Sequence, residues 1–228
     1  MRILKFILII NIFTIIFTNL GLCESPKEWR NKESFGLGFG IEGIGGGAFF
    51  DYAINSTLQI HFFWSTKNQS EKSSLAITRD LLKFHLETNT TISGFSVRTF
   101  PIDSSGFFLG IGGGFIVINQ SVNQSIYCYS SFFTIINPPE CSGYEDSTIS
   151  KETSSEAFGR VGFGEIGWQG YEGYYFTFGL RGGSVFIESE NNNTEKVIDY
   201  SDHRIRAKNH WKDAKTSSGA ILSFGWHF

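Results

Sequence analysis

The chain lacks several features by which protein classes are commonly identified. Beyond its first residues it has no run of about 20 consecutive apolar residues, the length that a membrane-spanning helix requires. Its formal net charge of −3 is not that of a nucleic-acid-binding protein. Glycine-rich stretches such as GFGEIG are followed by no helix pattern and no Lys-Ser/Thr pair, so they are not phosphate loops. No catalytic or metal-binding motif is recognisable, and we therefore predict no enzyme activity, no cofactor and no metal.

Cysteine is also rare, with 3 in 228 residues, and the first lies at the end of an export signal. Arg2 and Lys5 precede a short apolar run that ends in small residues, which is the layout of a secretory signal peptide. We predict cleavage after Cys23, so that residues 1–23 are removed. The alternative is a lipobox at Leu22-Cys23, in which Cys23 would be acylated instead.

Cleavage would leave Cys128 and Cys141 as the remaining thiols. In an exported chain, two cysteines at this separation predict a disulfide that closes a loop. Such a bridge would stabilise the fold by about 3 kcal/mol in the chain-entropy model. The alternative is a pair of free thiols, and the absence of a nearby histidine argues against a metal site.

Glycine and aromatic residues are abundant, with 26 Gly, 24 Phe and 16% aromatic residues, against 4 Pro and 1 Met. This composition suits strands and tight turns better than helices. Several segments alternate apolar and small residues with a period of two, which predicts β-strands. The alternating segments are SFGLGFGIEG (34–43), LQIHFFW (58–64), FFLGIGGGFIV (107–117) and YYFTFGLRGGSVF (174–186).

The two faces of these strands differ in a way that indicates a barrel. One face is large and aromatic, and the other carries glycine, hydroxyl or charged residues. Glycine is a poor choice for a solvent-facing strand position, but it suits the crowded concave side of a narrow closed barrel. The aromatic face would then be convex and, in an exported chain, would contact lipid.

The spacing of the connections predicts the number of strands. Short turns are predicted at 55–57, 103–106 and 169–173, and long polar loops near 67–90, 120–156 and 188–216. These connections leave seven strands, an odd number. A hairpin at GIGGG, with glycines 45–47 supplying positive φ angles, divides the first long segment and makes eight. We therefore predict an all-β transmembrane antiparallel up-and-down β-barrel over 34–228, with long extracellular loops. A short periplasmic segment over 24–33 precedes it, and the segment 73–87 is left open as an extended strand or a short helix.

The last strand carries a more specific motif. Its apolar residues occupy every second position to the end of the chain: Ala220, Leu222, Phe224, Trp226 and Phe228. This pattern resembles the terminal strand of bacterial outer-membrane β-barrel proteins, which acts as a signal for the barrel-assembly machinery. The segments FFLGIGGGF and VGFGEIGWQGYEGYYFTFGLRGG are similar to small eight-stranded barrels of the outer-membrane protein A and X type. The resemblance implies a place in the cell outer membrane of a double-membraned bacterium, among outer-membrane lipid and lipopolysaccharide.

Charged residues on the predicted inner face form the first candidate site. The residues are Glu42, Asp51, His61, Arg98, Arg160 and Arg181. An eight-stranded barrel has an interior just wide enough for side chains, so we expect a buried network of ion pairs that fills the lumen. The alternatives are a proton or ion path, or an active site.

A basic stretch in the last predicted loop, HRIRAKNHWKDAK, forms the second candidate site. Its members are Arg204, Arg206, Lys208, Trp211 and Lys212. Cations with an aromatic neighbour suit lipopolysaccharide phosphates or an acidic host glycan, which predicts an anion-binding loop. The alternative is a solvated loop beside anionic headgroups.

These features together predict an integral outer-membrane protein with a structural or surface-interaction role and a surface-exposed end that meets a host or surface ligand. The first alternative is a narrow, porin-like channel for small or apolar solutes, and the second is an outer-membrane enzyme acting on lipid A or peptides. A soluble periplasmic barrel that binds lipids is the remaining alternative. We expect a monomer with no nucleic-acid partner.

Overall fold

The computed structural model describes the chain except at its N-terminus and in several connections. The described ranges are 26–32, 34–77, 80–102, 105–128, 147–171, 174–193 and 201–228. The strands are β1 Phe35–Gly43, β2 Gly46–Asn55, β3 Leu58–Ile77, β4 Asp80–Thr99, β5 Phe107–Cys128, β6 Ser147–Tyr171, β7 Tyr174–Asn191 and β8 Gly219–His227. Helix α1, Pro26–Lys32, precedes β1, and helix α2, Ser201–Ala214, lies between β7 and β8.

The strands form one closed ring. Each strand pairs antiparallel with the next along the chain, and β8 pairs with β1. At the seam, the Phe228 N–H donates to the Phe35 carbonyl over 2.9 Å, and the Phe35 N–H donates to the Phe228 carbonyl over 3.3 Å. The prediction of eight up-and-down strands, closed by the terminal strand against the one near Ser34, is confirmed.

Side chains alternate between an apolar outer face and a smaller inner face. Ile111 is 74% exposed and Leu180 is 63% exposed although both are apolar, whereas the inward Ile221 is 1% exposed. The alternating apolar residues of the terminal strand all lie on the outer face. The predicted alternation of faces is therefore confirmed in β1, β3, β5, β7 and β8.

A tight hairpin joins β1 to β2, as predicted, but its glycines act differently. The residue with a positive φ is Gly43, at 84°, and not one of glycines 45–47. The Glu42 N–H donates to the Gly45 carbonyl over 2.9 Å and closes the turn. Only a residue without a Cβ adopts this left-handed conformation at no cost, so Gly43 ends β1.

The wall of the barrel is uneven in height. β1, β2 and β8 have 9, 10 and 9 residues, whereas β3 to β7 have 18 to 25. We call the end that carries Phe35 and Phe228 the turn end, and the opposite end the loop end. At the loop end β3 to β7 form a tall curved sheet, and β8, β1 and β2 form a low wall.

The tall sheet corrects the predicted loops. The predicted loop near 67–90, including the undecided segment 73–87, lies within the paired strands β3 and β4 as far as the structure describes it. Much of 120–156 is strand as well, because β5 continues to Cys128 and β6 begins at Ser147. The region 188–216 contains α2, whose Ala207 packs in a buried cluster with Phe84, Leu86 and Val122 of the tall sheet. These polar segments are extended because α2 covers the apolar residues on their inner face.

Helix α1 covers the turn end of the barrel. Its Trp29 ring lies 4.3 Å from the His227 ring of β8. The Arg30 Nε donates to the Ser56 carbonyl over 2.6 Å, and its guanidinium stands 4.0 Å from the centre of the Phe100 ring. The interior is therefore covered by α1 at one end and by α2 at the other.

Some predictions lie outside the described residues. They are the signal peptide over 1–23, the acylation of Cys23, and the disulfide, because Cys141 and the side chain of Cys128 are not described. In the part of the chain that is described, no helix is long and apolar enough to cross a membrane.

Candidate functional site

The candidate site is a cluster of buried charged side chains in the barrel interior, and His61 of β3 lies at one edge of it. His61 Nδ1 is 2.6 Å from Asp51 Oδ1, and His61 Nε2 is 3.2 Å from Glu42 Oε2. Asp51 is brought to this position because it stands directly opposite His61 in the β2–β3 pairing. Each ring nitrogen therefore has a carboxylate oxygen within hydrogen-bond distance.

Glu165 of β6 is the second centre of the cluster. Its Oε1 accepts from Arg181 Nε over 2.8 Å and from Arg181 Nη2 over 2.5 Å. Its Oε2 accepts from Arg98 Nε over 2.8 Å and from Ser96 Oγ over 2.9 Å. Charge-assisted hydrogen bonds of this kind are the strongest that side chains form, so both oxygens of Glu165 are well satisfied.

Arg181 joins the two centres. Its Nη1 donates to the Glu42 carbonyl over 3.1 Å, and its Nη2 lies 3.4 Å from Glu42 Oε2. The structure thus brings together Glu42, Asp51, His61, Arg98 and Arg181, with Glu165 as a further member. We call these six side chains the lumen network.

Arg160 does not belong to the lumen network, which corrects the prediction. Its side chain is 67% exposed on the outer face of β6 and pairs with Glu188 of β7 over 2.7 Å. The reason is the alternation on β6, where Val161 and Phe163 are buried and Gly162 and Gly164 face outward. The alternating glycines of β1 (36, 38 and 40) and of β5 (110, 112 and 114) lie on the inner face, so the same rule applied to β6 misplaces Arg160 and overlooks Glu165. The signal available in the sequence was the odd-numbered set Val161, Phe163 and Glu165.

Aromatic rings enclose the network on both sides. The Arg181 guanidinium lies 3.7 Å from the centre of the Phe63 ring and 4.6 Å from that of Phe163. Toward the turn end, the Arg98 guanidinium lies 4.6 Å from the centre of the Phe108 ring. Cation–π contacts of this kind stabilise a desolvated guanidinium and exclude water from it.

The network is buried. Asp51, His61, Ser96 and Arg98 are each 0% exposed, and Glu42 is 1% exposed. A cluster of apolar residues that includes Phe63, Ile116 and Trp211 fills the space between the network and α2. The interior of this barrel is a packed core.

The contact between Asp51 and His61 is the one by which a carboxylate orients a general base. However, the hydroxyl nearest to the network, that of Ser96, donates to Glu165 and not to His61. Among the described residues, no group of three or more His, Cys, Asp or Glu side chains has the arrangement of a metal site. The described contacts of the cluster are ion pairs and hydrogen bonds among its own side chains.

Helix α2 is held in the tall sheet by carboxylates. Trp211 Nε1 donates to Glu190 over 2.6 Å, and Lys215 Nζ donates to the same carboxylate over 2.7 Å. A β-bulge turns Glu190 inward, because the register shifts between the pairs Gly159–Ile187 and Phe158–Ser189 and so places Glu190 opposite the buried Ala157.

The other end of α2 is anchored to β3. Arg206 Nη1 donates to Glu71 over 2.5 Å, and Arg206 Nη2 donates to Asp202 over 3.2 Å. His203 stacks on Phe84 with the ring centres 4.3 Å apart, and its Nε2 is 3.1 Å from Ser73 Oγ. The predicted anion-binding loop is therefore a helix, and two of its members, Arg206 and Trp211, hold carboxylates of the barrel.

Two titratable groups where α2 meets the tall sheet have shifted pKa values: Glu190 of β7 and His203 of α2. The hydrogen bonds from Lys215 and Trp211 hold the pKa of Glu190 below its usual value. Burial lowers the pKa of His203, and the positive charge of Arg206 lowers it further, while Asp202 and Glu71 act in the opposite direction. His203 is thus favoured in its neutral form against Phe84.

The fold defines an antiparallel up-and-down β-barrel of eight strands. No protein-family model matches the chain, and no curated protein matches it. Among solved structures, the chain is similar to the crystal structure of Acinetobacter baumannii CarO2, with 8% identity over 86% of this chain and 99% of that chain and a TM-score of 0.40. It is also similar to that of Acinetobacter baumannii CarO, with 10% identity over 86% of this chain and 97% of that chain and a TM-score of 0.37. The assignment of the fold rests on the strand pairing of this chain itself.

Proposed function

We propose that this chain is an integral outer-membrane β-barrel with a sealed lumen, which holds its tall sheet and α2 at the cell surface in a structural or surface-interaction role. The proposal includes a monomeric barrel among outer-membrane lipid and lipopolysaccharide, with the barrel-assembly machinery as a transient partner during biogenesis. It includes no enzyme activity.

The outer face supports insertion into a bilayer. Apolar side chains cover it around the whole ring, among them Phe39, Phe62, Ile111, Leu180 and Phe224. Soluble monomers rarely expose a contiguous apolar patch larger than a few hundred Å². A closed ring of strands also satisfies its backbone hydrogen bonds internally, which a hydrocarbon environment requires. We call this apolar band the belt.

The belt ends part of the way along the tall sheet. On β3 the outward residues Phe62 and Trp64 are followed by Thr66 and Asn68, and on β5 Val117 is followed by Asn119. Beyond these positions the outer face is polar, so the loop end projects out of the bilayer. The projecting strands of the tall sheet, with α2 packed on their inner face, suit a surface role.

The burial of the lumen network favours a sealed barrel over a channel. A pore that conducts water or ions leaves its lining side chains accessible to water, as in porins. Here Asp51, His61 and Arg98 are 0% exposed, and aromatic rings lie on both sides of them. We therefore expect no conductance from the full-length protein in planar bilayers, and single-channel openings would contradict the sealed lumen.

Location is tested separately. Carbonate or urea extraction of membranes is expected to leave the protein in the pellet, and its recovery in the supernatant would contradict insertion. Topology is tested with Ser74→Cys at the loop end and Ile102→Cys at the turn end, both exposed positions. A membrane-impermeant maleimide added to intact cells is expected to label the first variant and not the second, with the unchanged chain as the background. Labelling of Ile102→Cys alone would reverse the proposed orientation.

A further inference from the structure

Four Arg and Lys residues lie on α2, and Lys215 follows its last residue. Arg206 and Lys215 hold carboxylates of the barrel. Arg204, Lys208 and Lys212 are exposed, and their spacing of one residue in four places them next to one another along one side of the helix. We call Arg204, Lys208 and Lys212 the basic stripe.

Helix α2 lies just past the edge of the belt. On β5, Val117 is the last exposed apolar residue toward the loop end. Gln120 lies three residues further along the strand, and its Nε2 donates to the Ala207 carbonyl of α2 over 3.1 Å. Glu190, which accepts from Trp211, similarly follows Phe186 on β7. Three residues at about 3.3 Å each span about 10 Å of strand, and a strand tilt of about 40° reduces the height of α2 above the hydrocarbon edge to about 8 Å. The headgroup layer extends roughly 5–8 Å from that edge, so α2 stands at its outer boundary.

The side of α2 that carries the basic stripe is exposed. The helix packs against the inner face of β4 and β5. Across the barrel from these strands, the low wall ends at the Gly43–Gly46 hairpin and at Gly219, close to its last outward apolar residues Ile41 and Ala220. The low wall therefore does not screen the exposed side of α2 from the surface of the bilayer.

We propose that the basic stripe binds phosphate groups of the glycolipid headgroups in the outer leaflet. The proposal rests on the outer-membrane location proposed above. Phosphate is the anion expected at this height in such a membrane, and Lys and Arg side chains near an anionic surface each strengthen binding about fivefold. The planar guanidinium of Arg204 can donate two parallel hydrogen bonds to phosphate oxygens, and the ammonium groups of the two lysines contribute positive charge. Arg206 and Lys215 keep the helix in place through Glu71 and Glu190.

The test uses the full-length mature protein in phosphatidylcholine nanodiscs that contain a small fraction of diphosphoryl lipid A. Bound lipid A is counted by native mass spectrometry, and its apparent affinity is measured by titration. Removing two charges with K208Q/K212Q is expected to weaken binding on the order of twentyfold, and the triple variant with Arg204→Gln on the order of a hundredfold. The same lipid A without its phosphates is expected to bind the unchanged protein as weakly as it binds the triple variant.

The controls remove equal charge elsewhere. K27Q/K32Q lies on α1 at the turn end, and K72Q/K83Q lies on the outer face of the tall sheet. Both are expected to bind as the unchanged protein does, and a loss in K72Q/K83Q equal to that in K208Q/K212Q would overturn the assignment to α2. Equal affinity for inorganic phosphate in detergent, or a preference for a sulfated polysaccharide over lipid A, would also overturn it. If the protein inserts into phosphatidylcholine discs but shows no preference for the phosphates, this inference fails and the proposed location stands. Failure to insert into any disc contradicts the location.

Discussion

Arg181 and Glu165 stand directly opposite each other on paired strands, and two nitrogens of the guanidinium donate to the same carboxylate oxygen. Arg181 is 4% exposed and so is Glu165. The same guanidinium reaches Glu42 across the seam of the barrel, so a single side chain connects β7, β6 and β1.

Breaking this pair is expected to destabilise the barrel strongly. Glu165→Gln removes the charge that both arginines face, and truncating one partner of a buried ion pair costs about 3–5 kcal/mol. The free energy of unfolding, measured in urea by the loss of the heat-modifiable gel band, reports this loss. The matched control is Arg160→Gln, which breaks an exposed pair with Glu188 and is expected to cost less than about 1 kcal/mol. Equal effects of the two substitutions would show that the lumen network does not stabilise the fold.

The glycines of the inner face are expected to resist enlargement, whereas those of the outer face tolerate it. A Cβ at Gly38 would stand 2.3 Å from the Phe224 carbonyl oxygen and 2.3 Å from Phe49 Cζ, whereas a Cβ at Gly162 would meet nothing within 4 Å. Gly38→Ala is therefore expected to cost about 1–3 kcal/mol through overpacking, and Gly162→Ala to be neutral or slightly stabilising. Urea unfolding of the two variants compares them directly. A cost for Gly162→Ala as large as that for Gly38→Ala would contradict the assignment of faces on β6.

Acid is expected to loosen α2 from the tall sheet. Among the described residues, the groups that face His203 include Ser73, Phe84, Arg206, Asp202 and Glu71. Because the folded pKa of His203 lies below its ordinary value of 6.5, its stabilising contribution is complete above that value and is lost as the pH falls through the folded pKa. Hydrogen exchange of the α2 amides, corrected for the intrinsic pH dependence, is expected to increase below pH 6.5.

The matched variant for this effect is His203→Asn, which keeps a polar side chain beside Ser73 without a group that titrates in this range. Its α2 exchange is expected to be faster at neutral pH and to show a weaker dependence on acid. An identical pH profile in the unchanged protein and in the variant would show that groups other than His203 cause the effect. Glu190 is one such group, and because its pKa is lowered, its stabilising contribution is lost only at more acidic pH.

The terminal residue is expected to matter for assembly more than its neighbour. Phe228 is 64% exposed on the outer face, and His227 is 7% exposed on the inner face. Phe228→Ser removes the last apolar residue of the alternating terminal motif, so we expect a lower heat-modifiable fraction in membranes at equal synthesis. His227→Ser, which loses an inward ring that contacts Trp29, is expected to assemble normally. Normal assembly of Phe228→Ser would show that the alternating terminal motif does not depend on Phe228 as an assembly signal.

The strands and the belt were predictable because alternation is a local property of extended backbone. Phe35, Leu37 and Phe39 face outward whatever the rest of the chain does, once β1 is extended and its glycines are on the concave side. The closing role of β8 followed from the same period. The helix α2 was not predictable in this way, because Ala207 and Trp211 become buried only after the tall sheet stands beside them.

The local pattern of the sequence determined the strand period, the outward belt and the strand that closes the ring. Only the tertiary structure decided which charges meet. Arg181 contacts Glu42 across 139 positions of the chain, and that meeting depends on the register of every strand pair between them. Glu165 belongs to the lumen network and Arg160 does not, because a shift of one residue moves a side chain to the opposite face of the wall. Register is set by packing around the whole ring, and no single segment of the sequence contains it.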